Sequence, residues 1–385
     1  MSTPSPHHRH QTSLEGVFDL FLPHPGLSSE QRQHATRTFT TVIEACEPLQ
    51  NHKPYKQVTL VRLTYEYARS EASRDNFLRF FFEHTQIPVN APQSESISTI
   101  DHAPRLITFA ETLMENFFLP LRASTRKTPQ PSPAALSDLQ SMQSFSGTTQ
   151  RLATLRRDCL IRDRHRCVIS RSFDRDEAMR RVARDGTQKA QDDDGFPLSN
   201  ESNIFATLEV AHIIPHSLMT LSSGEHELDT SKRTALAILN MFDDGVVRLI
   251  EGNDIDRTRN AITLTMEFHQ LFGRFEVYFE PQGNQLHTYR IDSVREDFMR
   301  HPILPIESRS LFLTDTRTID PPSPRLLAIH AAIAHILYLS AAGSHIDCIL
   351  DDLDHGDILV DGSTQLGYLT TLRVGGWWDG RIGAY

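Results

Sequence analysis

The sequence is poor in cysteine and has no overall excess of positive charge. Four cysteines occur in 385 residues, and 39 basic against 49 acidic residues give a formal net charge of −10. So few cysteines argue against a disulfide scaffold and favour a reducing compartment. The negative balance excludes a chain that coats nucleic acid through uniform basicity, although a local basic surface remains compatible with it.

The chain also lacks a long, purely apolar run. Its first residues, MSTPSPHHRHQTS, have no apolar core of the kind found in secretory signals. The longest apolar segment, 326–343, contains His330, His335 and Ser340, and it falls short of the roughly 20 residues that span a membrane. Because those side chains are costly in lipid, we expect a buried helix. We therefore expect an intracellular protein, nuclear or cytoplasmic, that is neither secreted nor membrane-bound.

Composition divides the chain into segments of different character. Apolar residues near 30–47 recur at helical spacing, and PPSP at 321–324 precedes an apolar helix that we expect to end at Gly343. The predicted segments are a disordered leader at 1–28, a helical region at 29–122, a linker at 123–150, a central domain at 151–281 with a surface insertion at 183–203, a helical extension at 282–345, and an acidic, Gly-containing tail at 346–385.

Arginine is concentrated just before the centre of the chain. Residues 151–184 contain 11 arginines and five acidic residues, a local excess of six positive charges. A solvated helix face and a phosphate-facing surface both fit this composition, because guanidinium groups match phosphate geometry. If the helix at 151–164 faces phosphate, Arg156, Arg157, Arg162 and Arg164 are the candidate contacts.

The side chains with recognisable chemistry lie between residues 208 and 281. LEVAHIIPHS alternates like a strand up to Pro215, AITLT reads as a second strand, MEFHQLFG as a short helix, and GRFEVYFEP as another strand. His212 is thus on a strand, Asn260 precedes the next strand, and His269 is on the helix. A neutral histidine suits general-base catalysis, and a second histidine with an amide oxygen suits a divalent ion.

Four short motifs, taken in order, resemble the HNH endonuclease family, and specifically the branch found in fungal proteins. They are RCVIS at 166–170, AHIIP at 211–215, IDRTRNAITL at 255–264 and FHQLFGRF at 268–275. The resemblance implies an α+β chain with a small ββα-metal module embedded between mainly helical N- and C-terminal regions. It also implies a metal-dependent endonuclease that uses Mg²⁺, Mn²⁺ or Zn²⁺ to hydrolyse phosphodiester bonds in nucleic acid, DNA rather than RNA.

The family's roles transfer to individual residues of this chain. The resemblance makes His212 the general base, His269 a metal ligand, and Asn260 the residue that orients the loop or contacts the metal. Many members carry Asp or His just before the first histidine as a further ligand. Here that position is Ala211, so Glu209, two residues earlier on the same strand face, becomes the candidate replacement.

Two departures keep a non-catalytic alternative open. Ala211 cannot coordinate a metal, and the spacing of Cys159 and Cys167 fits no zinc knuckle. The alternative is an inactive HNH fold that binds nucleic acid or protein, and a helical scaffold with a nuclease-like insert is a third reading. His216 reads as a loop residue, with contact to phosphate or metal as its less favoured role.

Overall fold

Within the residues that it describes, the computed structural model folds as helices with two small antiparallel sheets. The predicted α+β class is confirmed. The predicted leader at 1–28, linker at 123–150 and tail at 346–385 lie largely outside the described residues. The structure describes residues 26–89, 99–125, 148–220, 230–283, 285–295, 301–302, 304–305, 308–314, 318–355, 372 and 377.

The N-terminal helices pack around an aromatic core. The first helix begins at a reciprocal capping box, in which Ser28 and Gln31 satisfy each other's backbone N–H groups. On this helix, Phe39 meets Phe77 and Phe81 edge to face, with ring centroids 5.6 and 5.0 Å apart. The helices are α1 (Ser29–Cys46), α2 (Gln57–Glu66), α3 (Glu71–Thr85), α4 (Thr99–Leu113) and α5 (Leu119–Thr125), with a π-helical turn (Met114–Phe118) before α5.

The arginine-rich segment forms α6 (Thr148–Arg162) and α7 (Arg175–Asp185). The Asp174 side chain caps α7 by accepting a hydrogen bond from its first turn. The predicted insertion at 183–203 folds back on α7, where Ala190 and Leu198 are buried against Phe173. The insertion is therefore part of a small packed cluster as well as part of the surface.

A short antiparallel pair of strands lies at the centre. β1 (Leu208–His212) is followed by α8 (Thr230–Phe242), and then pairs with β2 (Ala261–Thr265) so that His212 lies opposite Ala261. The chain passes directly into α9 (Met266–Gly273), which packs on both strands. These bounds confirm the strand predicted from AITLT and the helix predicted from MEFHQLFG.

A second sheet follows, in the order β3 (Val277–Pro281), β4 (Thr288–Ser293), β5 (Arg309–Ser310). The prediction of helix throughout 282–345 is therefore wrong for 288–293 and 309–310. In β4, the buried residues Tyr289 and Ile291 alternate with polar neighbours, and this period-two pattern lets β4 pair with β3.

The apolar segment near the C-terminus is the buried helix that its composition predicts. α10 (Pro324–Leu339) is followed by α11 (Ala342–His355), and the two axes meet at 87°. Gly343 does not end a helix but lies within α11, where an added Cβ would stand 3.4 Å from the carbonyl oxygen of Leu337. Among the described residues no single helix has the length and hydropathy to cross a membrane. Only α10 and α11 taken together, despite the bend between them, reach that length and hydropathy.

The end of α9 is held from the N-terminal side by α5. A Cβ on Gly273 would lie 2.7 Å from the carbonyl oxygen of Thr125, so this close approach leaves no room for a side chain. The Thr125 hydroxyl also donates to the carbonyl of Gly273. Arg122 donates to the carbonyl of Arg274 and pairs with Asp347 at 2.7 Å. Helix α9, which carries His269, is thus anchored to a distant part of the chain.

α10 holds the same end of α9 from the other side. The buried His330 ring stacks on Phe272 with centroids 3.7 Å apart and planes 4° from parallel, and it also stacks on Phe275. Its Nε2 lies 3.0 Å from the carbonyl oxygen of Phe272 and donates to it. Burial lowers the pKa of His330 to about 3, because this one hydrogen bond offsets little of the desolvation.

We expect His330 to make the protein less stable as the pH falls. Its pKa is about 3 in the fold against 6.5 ordinarily, so below pH 6.5 protons bind the unfolded chain first, and stability is lost between about pH 6.5 and pH 3. From pH 7 to pH 5 this residue should lower the free energy of unfolding by about 2 kcal/mol. Urea unfolding of the wild type and of His330→Phe, which keeps the stacked ring, measures the difference. An identical pH dependence in the two proteins would contradict it.

Candidate functional site

His212, His216 and Asp256 converge at the C-terminal end of β1 and form what we call the histidine–aspartate cluster. Oδ1 of Asp256 lies 3.2 Å from Nε2 of His212 and 2.7 Å from Nδ1 of His216. One possible ligand atom from each residue lies within 4.8 Å of the others. Two imidazoles and a carboxylate form a donor set that suits several divalent transition metals, so the cluster is a candidate metal centre.

Three short backbone elements bring the cluster together. His212 ends β1, His216 begins the 3₁₀ turn that follows Pro215, and Asp256 ends a second 3₁₀ segment, Gly252–Asp256. From α6, Nε of Arg151 lies 3.1 Å from the second carboxylate oxygen of Asp256. The carboxylate is therefore oriented through both of its oxygens.

Burial and mutual charge set the protonation states of the cluster. Burial disfavours the ionised Asp256, but hydrogen bonds from His212 and His216 outweigh it and hold the pKa of this carboxyl well below its ordinary value. Burial lowers the pKa of His212 against the hydrogen bond to Asp256, and repulsion from His216 and His269 lowers it further. A neutral imidazole thus faces an ionised carboxylate, and these are the forms that bind metals.

The donor atoms fit a bound cation. Nδ1 of His212 is buried and has no hydrogen-bond partner in the described part of the chain, so its ring is not committed elsewhere through that atom. Its Nε2 is directed at the oxygen that His216 also contacts. Two nitrogens and one carboxylate oxygen therefore meet in a buried, polar place, which is what a borderline divalent ion requires.

His269 and Glu209 form a second polar pair beside the cluster. Nδ1 of His269 on α9 lies 2.5 Å from Oε2 of Glu209 on β1. This hydrogen bond lowers the pKa of Glu209 against the effect of burial. Glu209 lies three residues before His212 on the same strand. Glu209 thus contacts the last motif histidine, while the roles of both residues as metal ligands stay predictions.

Asn260 is fully buried and joins the loops that carry the cluster. Its Oδ1 accepts from the N–H of Ile214 at 2.9 Å, and its Nδ2 donates to the carbonyl oxygens of Ile214 and Ile255, both at 2.9 Å. Ile214 lies between the two cluster histidines, and Ile255 directly precedes the cluster aspartate. These bonds orient the loops, whereas the predicted catalytic or metal contact of Asn260 has no counterpart among them and stays a prediction.

The prediction that Arg162 faces nucleic acid is wrong. Its guanidinium is fully enclosed and forms an ion pair of 2.8 Å with Asp163. It also donates to the carbonyl oxygens of Thr258, at 2.7 Å, and Ala261, at 2.9 Å. These contacts connect α6 to the start of β2. Because the guanidinium N–H groups are hydrogen-bonded inside the fold, Arg162 cannot reach a phosphate.

The other three predicted phosphate contacts have different surroundings. Arg156 is half-buried and acts electrostatically on Glu209. Arg157 is exposed and pairs with its neighbour Asp158 at 2.9 Å. Arg164 donates to Asp194. The contact of Arg156, Arg157 and Arg164 with nucleic acid stays a prediction.

The acidic part of the insertion neutralises much of the arginine-rich segment. Arg166 pairs with Asp192 at 2.8 Å, and Arg181 pairs with Asp193 at 2.7 Å. The linear excess of six positive charges is therefore not a continuous basic surface, because the folded insertion brings its carboxylates back onto these arginines.

The motifs assign no role to Asp256 and only a minor one to His216. Asp256 stands four residues before Asn260, and His216 four residues after His212. This four-residue spacing from a motif residue, seen for both Asp256 and His216, was the sequence feature that could have marked them as candidate site residues. However, the chain does not reveal that residues 40 or more apart in sequence share one oxygen atom.

Comparison with known protein families agrees with this geometry. Residues 167–280 match the HNH endonuclease model HNH_2, so this part of the chain belongs to the HNH endonuclease family. The match contains the cluster, the His269–Glu209 pair and Asn260, and it confirms the family resemblance of the four motifs. Membership supports a nuclease or a nucleic-acid-binding function. The fungal branch stays a prediction. No curated protein and no solved structure matches the chain.

We expect Asn260→Ala to destabilise the protein strongly. The substitution leaves one buried N–H and two buried carbonyl groups without their partner, at a total cost of roughly 3–5 kcal/mol in the free energy of unfolding. Urea unfolding against Asn203→Ala, a substitution at an exposed asparagine, provides the measurement and its control. Equal stabilities of the two variants would show that the amide bridge contributes nothing.

Proposed function

We propose that this protein is a metal-dependent endonuclease that hydrolyses phosphodiester bonds in nucleic acid, with DNA as the preferred substrate. The observation that carries the proposal is the buried histidine–aspartate cluster inside a segment of the HNH endonuclease family. β1 pairs with β2, α9 directly follows β2 and packs on both strands, and His212 of the cluster ends β1. We propose that these three elements form the ββα-metal module of that family.

In this proposal Nε2 of His212, Nδ1 of His216 and Oδ1 of Asp256 would hold the cation. This nitrogen-rich donor set suits Mn²⁺ or Zn²⁺ better than Mg²⁺, which prefers oxygen. When bound, a divalent ion neutralises charge on the scissile phosphate and lowers the pKa of water. Arg151 holds the other oxygen of Asp256 at 3.1 Å and thereby fixes the direction of the ligand.

His269 is the proposed general base. Its Nδ1 donates to Glu209 at 2.5 Å, which leaves Nε2 as the basic nitrogen and orients the ring. Relative to the family motif, this assignment exchanges the roles of His212 and His269. The reason is geometric. The His212 side chain is 2% exposed and contacts the same Asp256 oxygen as His216, as a metal ligand would. The His269 side chain, by contrast, is 10% exposed, and its carboxylate partner Glu209 lies outside the cluster.

A second candidate function is an HNH fold that binds nucleic acid or protein without cleaving. The observation in its favour is Ala211, which is fully buried on β1 at the position where many relatives carry a ligand. Metal-independent, salt-sensitive binding of DNA without cleavage in the presence of any divalent ion would establish this function and overturn the first.

We expect the wild type to nick supercoiled plasmid DNA when Mn²⁺, Zn²⁺ or Mg²⁺ is supplied. His269→Ala should lower the single-turnover rate about 100-fold or more, because a positioned base contributes that much to proton transfer. His52→Ala, at an exposed histidine outside the family match, should cleave at the wild-type rate. Equal rates for His269→Ala and His52→Ala would remove the assignment of the base.

Metal affinity separates the cluster from the His269–Glu209 pair. We expect Asp256→Asn and His216→Ala to weaken Mn²⁺ or Zn²⁺ binding by more than about 100-fold, since each removes a direct ligand. His269→Ala should retain nearly the full affinity in the same calorimetric titration. The reverse pattern, with loss in His269→Ala and Glu209→Gln but not in His216→Ala, would restore the roles that the motif implies.

A further inference from the structure

Arg171 differs from the other arginines of the 151–184 segment. Eight of the 11 pair with a carboxylate. Of the remaining three, Arg175 is exposed, and Arg156 acts on the nearby carboxylate of Glu209. Arg171 is largely enclosed, and the described residues offer it no carboxylate in ion-pairing distance. Within the described residues it is thus a largely enclosed cation that forms no ion pair.

The guanidinium of Arg171 is held rigidly but is not saturated. Its Cζ lies 4.1 Å from the centroid of the Phe312 ring, and its Nη2 donates to the carbonyl oxygen of Ser310 at 2.6 Å. Nη1 of the same group is buried and has no hydrogen-bond partner in the described part of the chain. Stacking on an aromatic ring fixes the plane of the guanidinium while its remaining N–H groups stay available.

Arg309 on β5 supplies a second cation of the same kind. Its Nε is also buried without a hydrogen-bond partner in the described residues. After burial, repulsion from Arg309 is the next largest influence that lowers the pKa of Arg171, to about 10. Arg164 lies over the same Phe312 ring, with its Cζ 5.1 Å from the centroid. Two neighbouring cations and buried N–H groups without acceptors are each unfavourable. A bound oxyanion would neutralise the charge and accept hydrogen bonds from these N–H groups.

This arginine pair is attached to the strands of the nuclease segment. Arg171 closes a turn in which its N–H donates to the carbonyl of Cys167, and the N–H of Val168 in that turn donates to Thr263 on β2 at 2.9 Å. β2 begins at Ala261, directly opposite His212. The turn that carries Arg171 is thus hydrogen-bonded to the strand that pairs with the strand of His212.

We propose that Arg171 and Arg309 bind a backbone phosphate of the nucleic acid, at a site separate from the histidine–aspartate cluster. The proposal rests on the proposed function to the extent that nucleic acid is the ligand of this protein. The two guanidinium groups contribute to affinity and register rather than to the chemical step, since phosphate contacts position a nucleic acid without reading its sequence.

Binding of a labelled DNA duplex without divalent metal, followed across a range of salt concentrations, tests the proposal. We expect Arg171→Gln/Arg309→Gln to reduce the slope of log K against log salt by about 1, because the contact with one backbone phosphate is lost. Arg180→Gln, at a 69% exposed arginine that pairs with Glu177, is the matched control and should keep the wild-type slope. An unchanged slope in the double variant would overturn the proposal.

Thermal unfolding with inorganic phosphate, compared with chloride at equal ionic strength, separates a nucleic-acid site from a site for a small anion. Loss of phosphate stabilisation in the double variant together with the reduced DNA slope supports the proposal. Loss of phosphate stabilisation with an unchanged DNA slope would overturn nucleic acid as the ligand. Arg171→Lys, which keeps the charge but not the planar fork, guards against a folding defect and should bind DNA with intermediate affinity.

Both measurements are independent of cleavage. They are carried out without a divalent metal, so a protein that binds DNA through Arg171 and Arg309 but never cuts it would contradict the nuclease proposal and leave this one standing. If the protein cuts DNA but the double variant keeps the wild-type salt slope, the nuclease proposal stands and the proposal for Arg171 and Arg309 fails.

Discussion

The side-chain amide of Asn260 is the interaction on which the candidate site depends. It makes three hydrogen bonds of 2.9 Å to backbone groups of two loops, and it is fully buried. It joins the stretch between the two cluster histidines to the segment that ends at Asp256, and so supports the direct contact of His216 with Asp256 at 2.7 Å. A polar group with every bond satisfied can be buried at little cost and specifies one arrangement, so this amide fixes the ligands without touching them.

Helix α9 is positioned by parts of the chain that lie outside the family match. Thr125 and Arg122 of α5 bind the backbone at its C-terminal end, and His330 of α10 stacks on Phe272 from the other side. His269 is therefore presented by a helix that is clamped between the N-terminal and C-terminal regions. This gives the helical regions a physical role in the site, because a shift of α9 would alter the contact of His269 with Glu209.

Charge in this protein is organised by the fold rather than by sequence position. Most arginines between 151 and 184 form ion pairs with nearby carboxylates, including those of the insertion that folds back on α7. Arg162 is enclosed with Asp163, so that it serves packing and backbone bonding. What remains after this pairing is a small number of sheltered cations, of which Arg171 is held by Phe312 and Ser310. The position of unpaired charge, more than the net charge, defines where an anion is favoured.

The sequence by itself determined the local elements of the nuclease segment and its family. AITLT and MEFHQLFG form the strand and the helix that their periodicity predicts, because side-chain spacing of two or 3.6 residues is a local property. It also singled out His212, Asn260, His269 and Glu209, which is the partner of His269, but it assigned no role to Asp256. Only the tertiary structure decided that Asp256 meets both His212 and His216, that Arg162 is buried, and that residues 288–293 and 309–310 form strands instead of helix. The physical reason is that these outcomes depend on contacts between residues far apart in the chain. The free energy of such contacts cannot be inferred from the spacing of neighbouring residues.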